Sequence, residues 1–249
     1  MIGIIGGSGL NTFENIEDIK SKKIDTVYGE PSSALTTGTL HNHSIVFLAR
    51  HGTPHSIPPH KINYRANIDA LKQLGVTKII AVAAVGGITS RMHPGALVIP
   101  DQIIDYTWSR EHTFFDGGAS VVYKGVQHID FTDPYTLDIR MQLIKTANEE
   151  KLKVVDRGVY AATQGPRLET AREIKKLAYD GCDIVGMTGM PEASLAREAG
   201  LDYACCAVVA NWAAGREAGI ISMEEIEKNL SVSMDKVYRL ITGYVRTTD

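Results

Sequence analysis

A chain of 249 residues with 44% hydrophobic and 22% charged residues carries enough apolar material for a large α/β core. A formal charge of −3 argues against a nucleic-acid surface, since the densest basic runs, Lys20-Ser21-Lys22-Lys23 and Lys175-Lys176, are short solvated faces. No apolar run approaches the roughly 20 residues of a membrane span. Met1 leads directly into Ile2-Gly3-Ile4-Ile5, and Cys182, Cys205 and Cys206 form no CxxC pair, so a cytoplasmic protein with reduced, buried thiols is expected.

Ile2 to Ile5 is expected as a buried strand, and Gly6-Gly7-Ser8-Gly9 turns the chain after it. Residues Ser33 to Arg50 predict a hairpin, Ala34 to Leu40 and Ser44 to Ala49 around His41-Asn42, followed by a Pro- and His-rich loop from Gly52 to His60. Asn63 to Leu74 has helical spacing at Ile68, Leu71 and Leu74 and stops at Gly75. Strands are predicted at Val76 to Val85 and at Ala96 to Tyr106, then an irregular polar and aromatic stretch from Thr107 to Thr132. A helix over Pro134 to Lys151, a strand over Val154 to Thr163 and a helix over Glu169 to Asp180 follow. The chain closes with a strand at Ile184-Val185, a helix over Glu192 to Gly200, a strand over Ala204 to Ala210 and a helix from about Met223 to Val245. Strands alternating with helices predict an α/β fold: one domain over residues 1–249, with a twisted, mixed but mainly parallel sheet flanked by helices.

Three segments carry chemistry. Gly6-Gly7-Ser8-Gly9 leaves a strand end with backbone N–H groups open to an anion, although a tight turn explains the same glycines. Arg50-His51-Gly52 ends another strand with a planar donor fork and an imidazole, from which a second donor is expected. Gly186-Met187-Thr188-Gly189-Met190-Pro191-Glu192 delivers a hydroxyl between a strand and a helix, and Asn211 ends the next strand beside it.

From Gly6 to about Ile226 these segments resemble the trimeric nucleoside phosphorylase family, which includes methylthioadenosine, methylthioinosine and purine nucleoside phosphorylases. The resemblance implies that Ser8, Arg50, His51 and Thr188 hold inorganic phosphate, with Ala84 contributing its backbone N–H. Ala83 stands where the methylthioadenosine branch has a threonine, so one side-chain contact is missing. Met187 would lie under the ribose, and Asn211, with Trp212 and Ala213, would hold the base. Phosphorolysis passes through a sugar cation between departing base and approaching phosphate, so stabilising the leaving group is decisive. Asn211 is the catalytic candidate: a neutral amide can serve N7 and O6 of a 6-oxopurine together, where the methylthioadenosine branch carries aspartate. Glu169, in Gly165-Pro166-Arg167-Leu168-Glu169-Thr170, resembles the carboxylate that accepts from N1–H in the 6-oxopurine enzymes. Read without the resemblance, Glu169 is a first-turn glutamate and Asn211 a helix cap.

Enzymes for ordinary nucleosides place a histidine after the base-binding strand to meet the 5′-hydroxyl, whereas the last histidine here is His128. Met223 and Ile226 stand at that place, an apolar pair suited to a methylthio group, or equally to the core of the last helix. His55 and His128 resemble positions near the ribose, His128 from an adjacent subunit, which would make the site depend on a homotrimer; a hexamer stays open. The expected activity is phosphorolysis of S-methyl-5′-thioinosine to hypoxanthine and 5-methylthioribose 1-phosphate, needing no cofactor or metal beyond phosphate as co-substrate. Alternatives are the same chemistry on inosine and guanosine, and an idle nucleotide-binding module. A metal hydrolase built from His41, His43, His51 and His55 lacks HExxH or a carboxylate partner.

Overall fold

The computed structural model describes residues 1–10, 13, 15–117 and 123–248. Among these, strands β1 (Ile2–Gly6), β2 (Glu17–Lys22), β3 (Leu35–Leu40), β4 (His43–Ala49), β5 (Lys78–Gly87), β6 (Leu97–Val98), β7 (Gln102–Asp105), β8 (Val154–Val155), β9 (Val159–Ala162), β10 (Ile184–Gly186) and β11 (Asp202–Trp212) join in one sheet. Helices α1 (Tyr64–Gln73), α2 (Leu137–Glu149), α3 (Ala171–Tyr179), α4 (Gly189–Glu198) and α5 (Met223–Thr247) cover its faces. The architecture is the expected α/β one, mixed and mostly parallel.

β5 organises the sheet. It carries β1 in parallel along its first half, β11 in parallel along its whole length, and β10 antiparallel at Gly86-Gly87. β4 lies parallel on the far side of β1. The carboxyl ends of β1, β4, β5 and β11 therefore meet at one edge, where open α/β sheets bind ligands. β10 runs the other way from β5's end, and so feeds Met187 and Thr188 back into that same edge.

Local chemistry sets the elements. The β3–β4 hairpin turns through His41 and Asn42, both at positive φ, the pairing that a two-residue turn between twisted strands requires. Asn63 Oδ1 accepts from Ala66 N at 3.1 Å to start α1. Thr170 and Glu173 close a reciprocal capping box on α3, and Ser222 Oγ accepts from Glu225 N at 3.1 Å to start α5. One apolar layer packs α1 and α4 on the sheet through Ile68, Leu71 and Leu195; the other packs α2 and α5 through Leu143, Val237, Leu240 and Tyr244.

Two expected strands are each broken in two. Ala96 to Tyr106 becomes β6 and β7, because Pro100 has no N–H for the ladder. Val154 to Thr163 becomes β8 and β9 around Asp156-Arg157-Gly158. The buried Arg140 satisfies both breaks, donating to Pro100 O at 2.8 Å, Ile99 O at 3.3 Å and Asp156 O at 2.7 Å. The edge strand β2, wholly exposed, has no apolar alternation to announce it. The stretch from Thr107 to Thr132 has no helix or strand among its described residues, with 118–122 lying outside them. No helix among the described residues is long and apolar enough to cross a membrane.

Candidate active site

At the shared strand edge a cavity of about 160 Å³ is lined by Ser8, Arg50, His51, Ala84, Glu169, Met187, Thr188, Asn211, Ala213 and Ile226, all expected from the sequence. Four more expected residues fall outside its lining. Trp212 lines a neighbouring cavity with the 213–221 loop. Met223 is 63% exposed, and the apolar partner of Ile226 in the cavity is instead Ile221. Met223 shares a helix face with Ile226 but stands at the exposed first position of α5, short of the cavity, while Ile221, before the helix, lines it. His128 is exposed and away from the cavity within this chain. His55 is also exposed and stacks on His51 with ring centroids 4.3 Å apart.

Around Ser8 and Arg50 the cavity is built on close backbone approach. Arg50 N donates to Gly6 O at 3.0 Å, joining the first glycine turn to the end of β4. A Cβ at Gly7 would lie 2.5 Å from Val82 O and 2.9 Å from Arg50 Nη1, so only glycine lets this turn sit on the guanidinium. Arg50 is 1% exposed, and its fork is already engaged: Nε donates to Glu192 Oε2 at 2.6 Å, Nη2 to Glu192 Oε1 at 2.7 Å and Nη1 to Val82 O at 2.8 Å. A guanidinium has five N–H donors, so one on Nη1 and one on Nη2 are left for the cavity. Burial works against the charge of Arg50, but the Glu192 carboxylate outweighs it and holds the group above its ordinary value. Glu192 is itself fully buried and also accepts from Tyr203 Oη at 2.8 Å. Glu192 was assigned no role from sequence; the available signal was a carboxylate set among the buried positions of its helix, with Ala193, Leu195 and Ala196.

His51 differs from the expected donor. Its Nδ1 lies 2.8 Å from Ile57 O, and a carbonyl only accepts, so Nδ1 carries the proton and a neutral ring presents a lone pair at Nε2. Burial, and then the charge of Arg50, push its pKa down to about 4. A neutral His51 offers an acceptor at Nε2 to the cavity, not a second donor. The linkage is also defined. Below about pH 6.5 the unfolded chain binds the proton that native His51 refuses, so stability falls from pH 6.5 towards 4 and flattens beneath it. His51→Gln is expected to remove that slope in thermal unfolding measured across the same window; an unchanged slope would show that His51 titrates normally.

The Glu169 and Asn211 side of the cavity follows from β9, β10 and β11. The register of β11 on β5 shifts between Val209 and Asn211, so Ala210 and Asn211 both line the cavity although a regular strand sends neighbours to opposite faces. Asn211 Nδ2 donates to Trp212 O at 2.7 Å, which fixes the amide orientation and leaves Oδ1 and one N–H for a ligand. Asn211 is thus a strand-end residue, not a helix cap. Glu169 precedes the cap of α3, and its Oε1 accepts from Thr163 Oγ1 at 2.7 Å, leaving Oε2 available. Gly165 has φ +63°, and a Cβ there would lie 2.4 Å from Met187 Sδ. Among the described residues no group of His, Cys, Asp or Glu is arranged to hold a metal ion.

A chain from Xanthomonas campestris pv. campestris, named "Probable S-methyl-5′-thioinosine phosphorylase", is 48% identical over 98% of this chain and 97% of its own. The 6-oxopurine nucleoside phosphorylase of Pyrococcus furiosus is 47% identical over 98% of this chain and 91% of its own. Among solved structures, methylthioadenosine phosphorylase from Schistosoma mansoni in complex with adenine superposes with a TM-score of 0.93 at 34% identity, covering 98% of this chain and 90% of that one. With the model of the phosphorylase superfamily matching residues 1–246, and with relatives that span both chains almost end to end, this chain belongs to the phosphorylase superfamily.

Proposed function

We propose that the protein is a purine nucleoside phosphorylase, a pentosyltransferase that cleaves 6-oxopurine nucleosides with inorganic phosphate. The observation that carries the base assignment is that Glu169, with one carboxylate oxygen left without a protein partner, lines the same cavity as Asn211. A 6-oxopurine has an N1–H for the carboxylate and O6 and N7 for the amide; a 6-aminopurine would set a lone pair against Glu169. Both relatives named for inosine-type or 6-oxopurine chemistry support this reading. The fold likeness to methylthioadenosine phosphorylase does not decide the base, because specificity lives in the site rather than the fold.

In the proposed reaction a phosphate oxygen forms the bond to C1′ as the C1′–N9 bond breaks, and its electron pair leaves with the purine. Ser8, Arg50, His51, Thr188 and the Ala84 N–H would hold the phosphate, Met187 would lie under the ribose, and Asn211 would stabilise the departing base. No cofactor or metal is required. The preferred substrate is S-methyl-5′-thioinosine, on the ground that Ile221 and Ile226 give the cavity an apolar end. Ile226→Asn is expected to lower kcat/KM for methylthioinosine about 10-fold or more relative to inosine, while Met223→Ala, outside the cavity, leaves the ratio unchanged. Equal losses for both nucleosides in Ile226→Asn would detach Ile226 from the 5′ group. We place the enzyme in the cytoplasm as a homotrimer.

The direct test is release of hypoxanthine from methylthioinosine with and without phosphate. Release only with phosphate is expected; no phosphate-dependent release from any 6-oxopurine nucleoside would overturn the proposal.

A further inference from the structure

The segment from Thr107 to Phe114 has no regular structure, yet Arg110 at its middle is only 8% exposed. Its guanidinium donates from Nη1 to Met187 O at 2.8 Å and Met190 O at 2.6 Å, and from Nη2 to Thr163 O at 3.2 Å and Gln164 O at 2.8 Å. Nε donates to Gln164 Oε1 at 3.1 Å, and Nη1 also reaches Tyr64 Oη at 3.2 Å. The strap that carries it is pinned on both sides: Trp108 N donates to Gln164 Oε1 at 3.1 Å and Phe114 N to Glu198 Oε2 at 2.7 Å.

These acceptors are not scattered. Thr163 and Gln164 leave the end of β9 towards Glu169, and Met187 to Met190 leave the end of β10 around Thr188. Thr163 is the link on the base side, since its carbonyl accepts from Arg110 while its hydroxyl donates to Glu169 Oε1 at 2.7 Å. On the other side Tyr64 Oη donates to Pro59 O at 2.9 Å, and Pro59 lines the cavity.

We infer that Arg110 is a positioning residue that sets the base-reading carboxylate of Glu169 and the Met187–Thr188 turn at a fixed distance from each other; the inference rests on the proposed phosphorolysis. A planar fork can hold two separate turns at once because its donors point in fixed, divergent directions, whereas an ammonium is a single point. Base, ribose and phosphate are bound by different loops, and a displacement between loops of about 1 Å costs on the order of 100-fold in rate. Arg110 is the tie between them.

The experiment compares the intact enzyme with Arg110→Met and Arg110→Lys by amide hydrogen exchange and by kinetics. In Arg110→Met, exchange is expected to quicken at 163–169 and at 187–190 together while β5 and β11 stay protected. kcat/KM for methylthioinosine falls about 100-fold, KM rises for phosphate and nucleoside alike, and the preference for 6-oxopurine over 6-aminopurine narrows. Arg110→Lys, which keeps the charge without the fork, restores one turn and not both, and carries the same readouts if the methionine variant does not fold. Exchange unchanged at either turn overturns the inference, as does a uniform loss of rate on all nucleosides with KM unmoved. Exchange needs no substrate, so it decides on Arg110 even if the wild-type enzyme releases no base, a result that removes the phosphorolysis reading instead.

Discussion

Glu192→Ala is expected to destabilise the protein by about 3–5 kcal/mol, because it leaves the Arg50 guanidinium buried without its counter-charge. For a chain of this size that corresponds to a fall in Tm of roughly 6–20 °C. The loss reflects an uncompensated charge more than the net worth of the pair, since desolvating two ions offsets most of their attraction. A double replacement, Arg50→Met with Glu192→Leu, should therefore recover much of the stability while phosphate-dependent turnover stays lost. Thermal unfolding of the single and double variants, with phosphate-dependent turnover assayed alongside, checks both parts. A Tm for Glu192→Ala within a degree or two of wild type would mean that Arg50 finds another partner or water, and that the network does not hold it in place.

Glu169→Ala is expected to reduce kcat/KM for methylthioinosine by about 10–100-fold, the range for one charge-assisted hydrogen bond, and to spare methylthioadenosine. Asn211→Asp should act in the same sense, because an aspartate that holds a proton or accepts from a 6-amino group suits adenine better than O6. The two residues belong to one site, so their effects on base preference should not add. Base release from the four variants (wild type, each single and the double) on both nucleosides settles it. An unchanged preference in Asn211→Asp would remove Asn211 from base recognition, and an equal loss on both bases in Glu169→Ala would make Glu169 a structural partner of Thr163.

Much of this site could be read along the chain. Apolar runs closed by glycine marked β1, β5 and β10, and apolar residues at helical spacing marked α1, with its stop at Gly75, and α5. The residues that follow these strand ends then converge: Ser8, Arg50 and Asn211 because β1, β4 and β11 run parallel with β5, and Thr188 because β10 runs back antiparallel from the end of β5. What stayed illegible depends on contacts distant in sequence. Glu192 meets Arg50 across 142 residues, and Arg110 meets Met190 across 80. Neither pairing leaves a local pattern. Ile221 was missed in favour of Met223 because i, i+3 spacing identifies one helix face without saying whether a residue before the cap joins it. The direction of the His51 hydrogen bond depends on Ile57 in a loop without periodicity. The bulge that brings Asn211 into the lining follows from pairing with β5, which no run of residues in β11 discloses.

The central claim is that Glu169 and Asn211 make this a 6-oxopurine enzyme. The most direct measurement is the ratio of kcat/KM for S-methyl-5′-thioinosine to that for methylthioadenosine, determined on the same preparation at saturating phosphate. The expected ratio is well above one, on the order of 10²-fold, from the half-buried Glu169 carboxylate meeting N1–H in one substrate and a lone pair in the other. A ratio at or below one would contradict it and return the base site to the adenine-type chemistry of the structural neighbours.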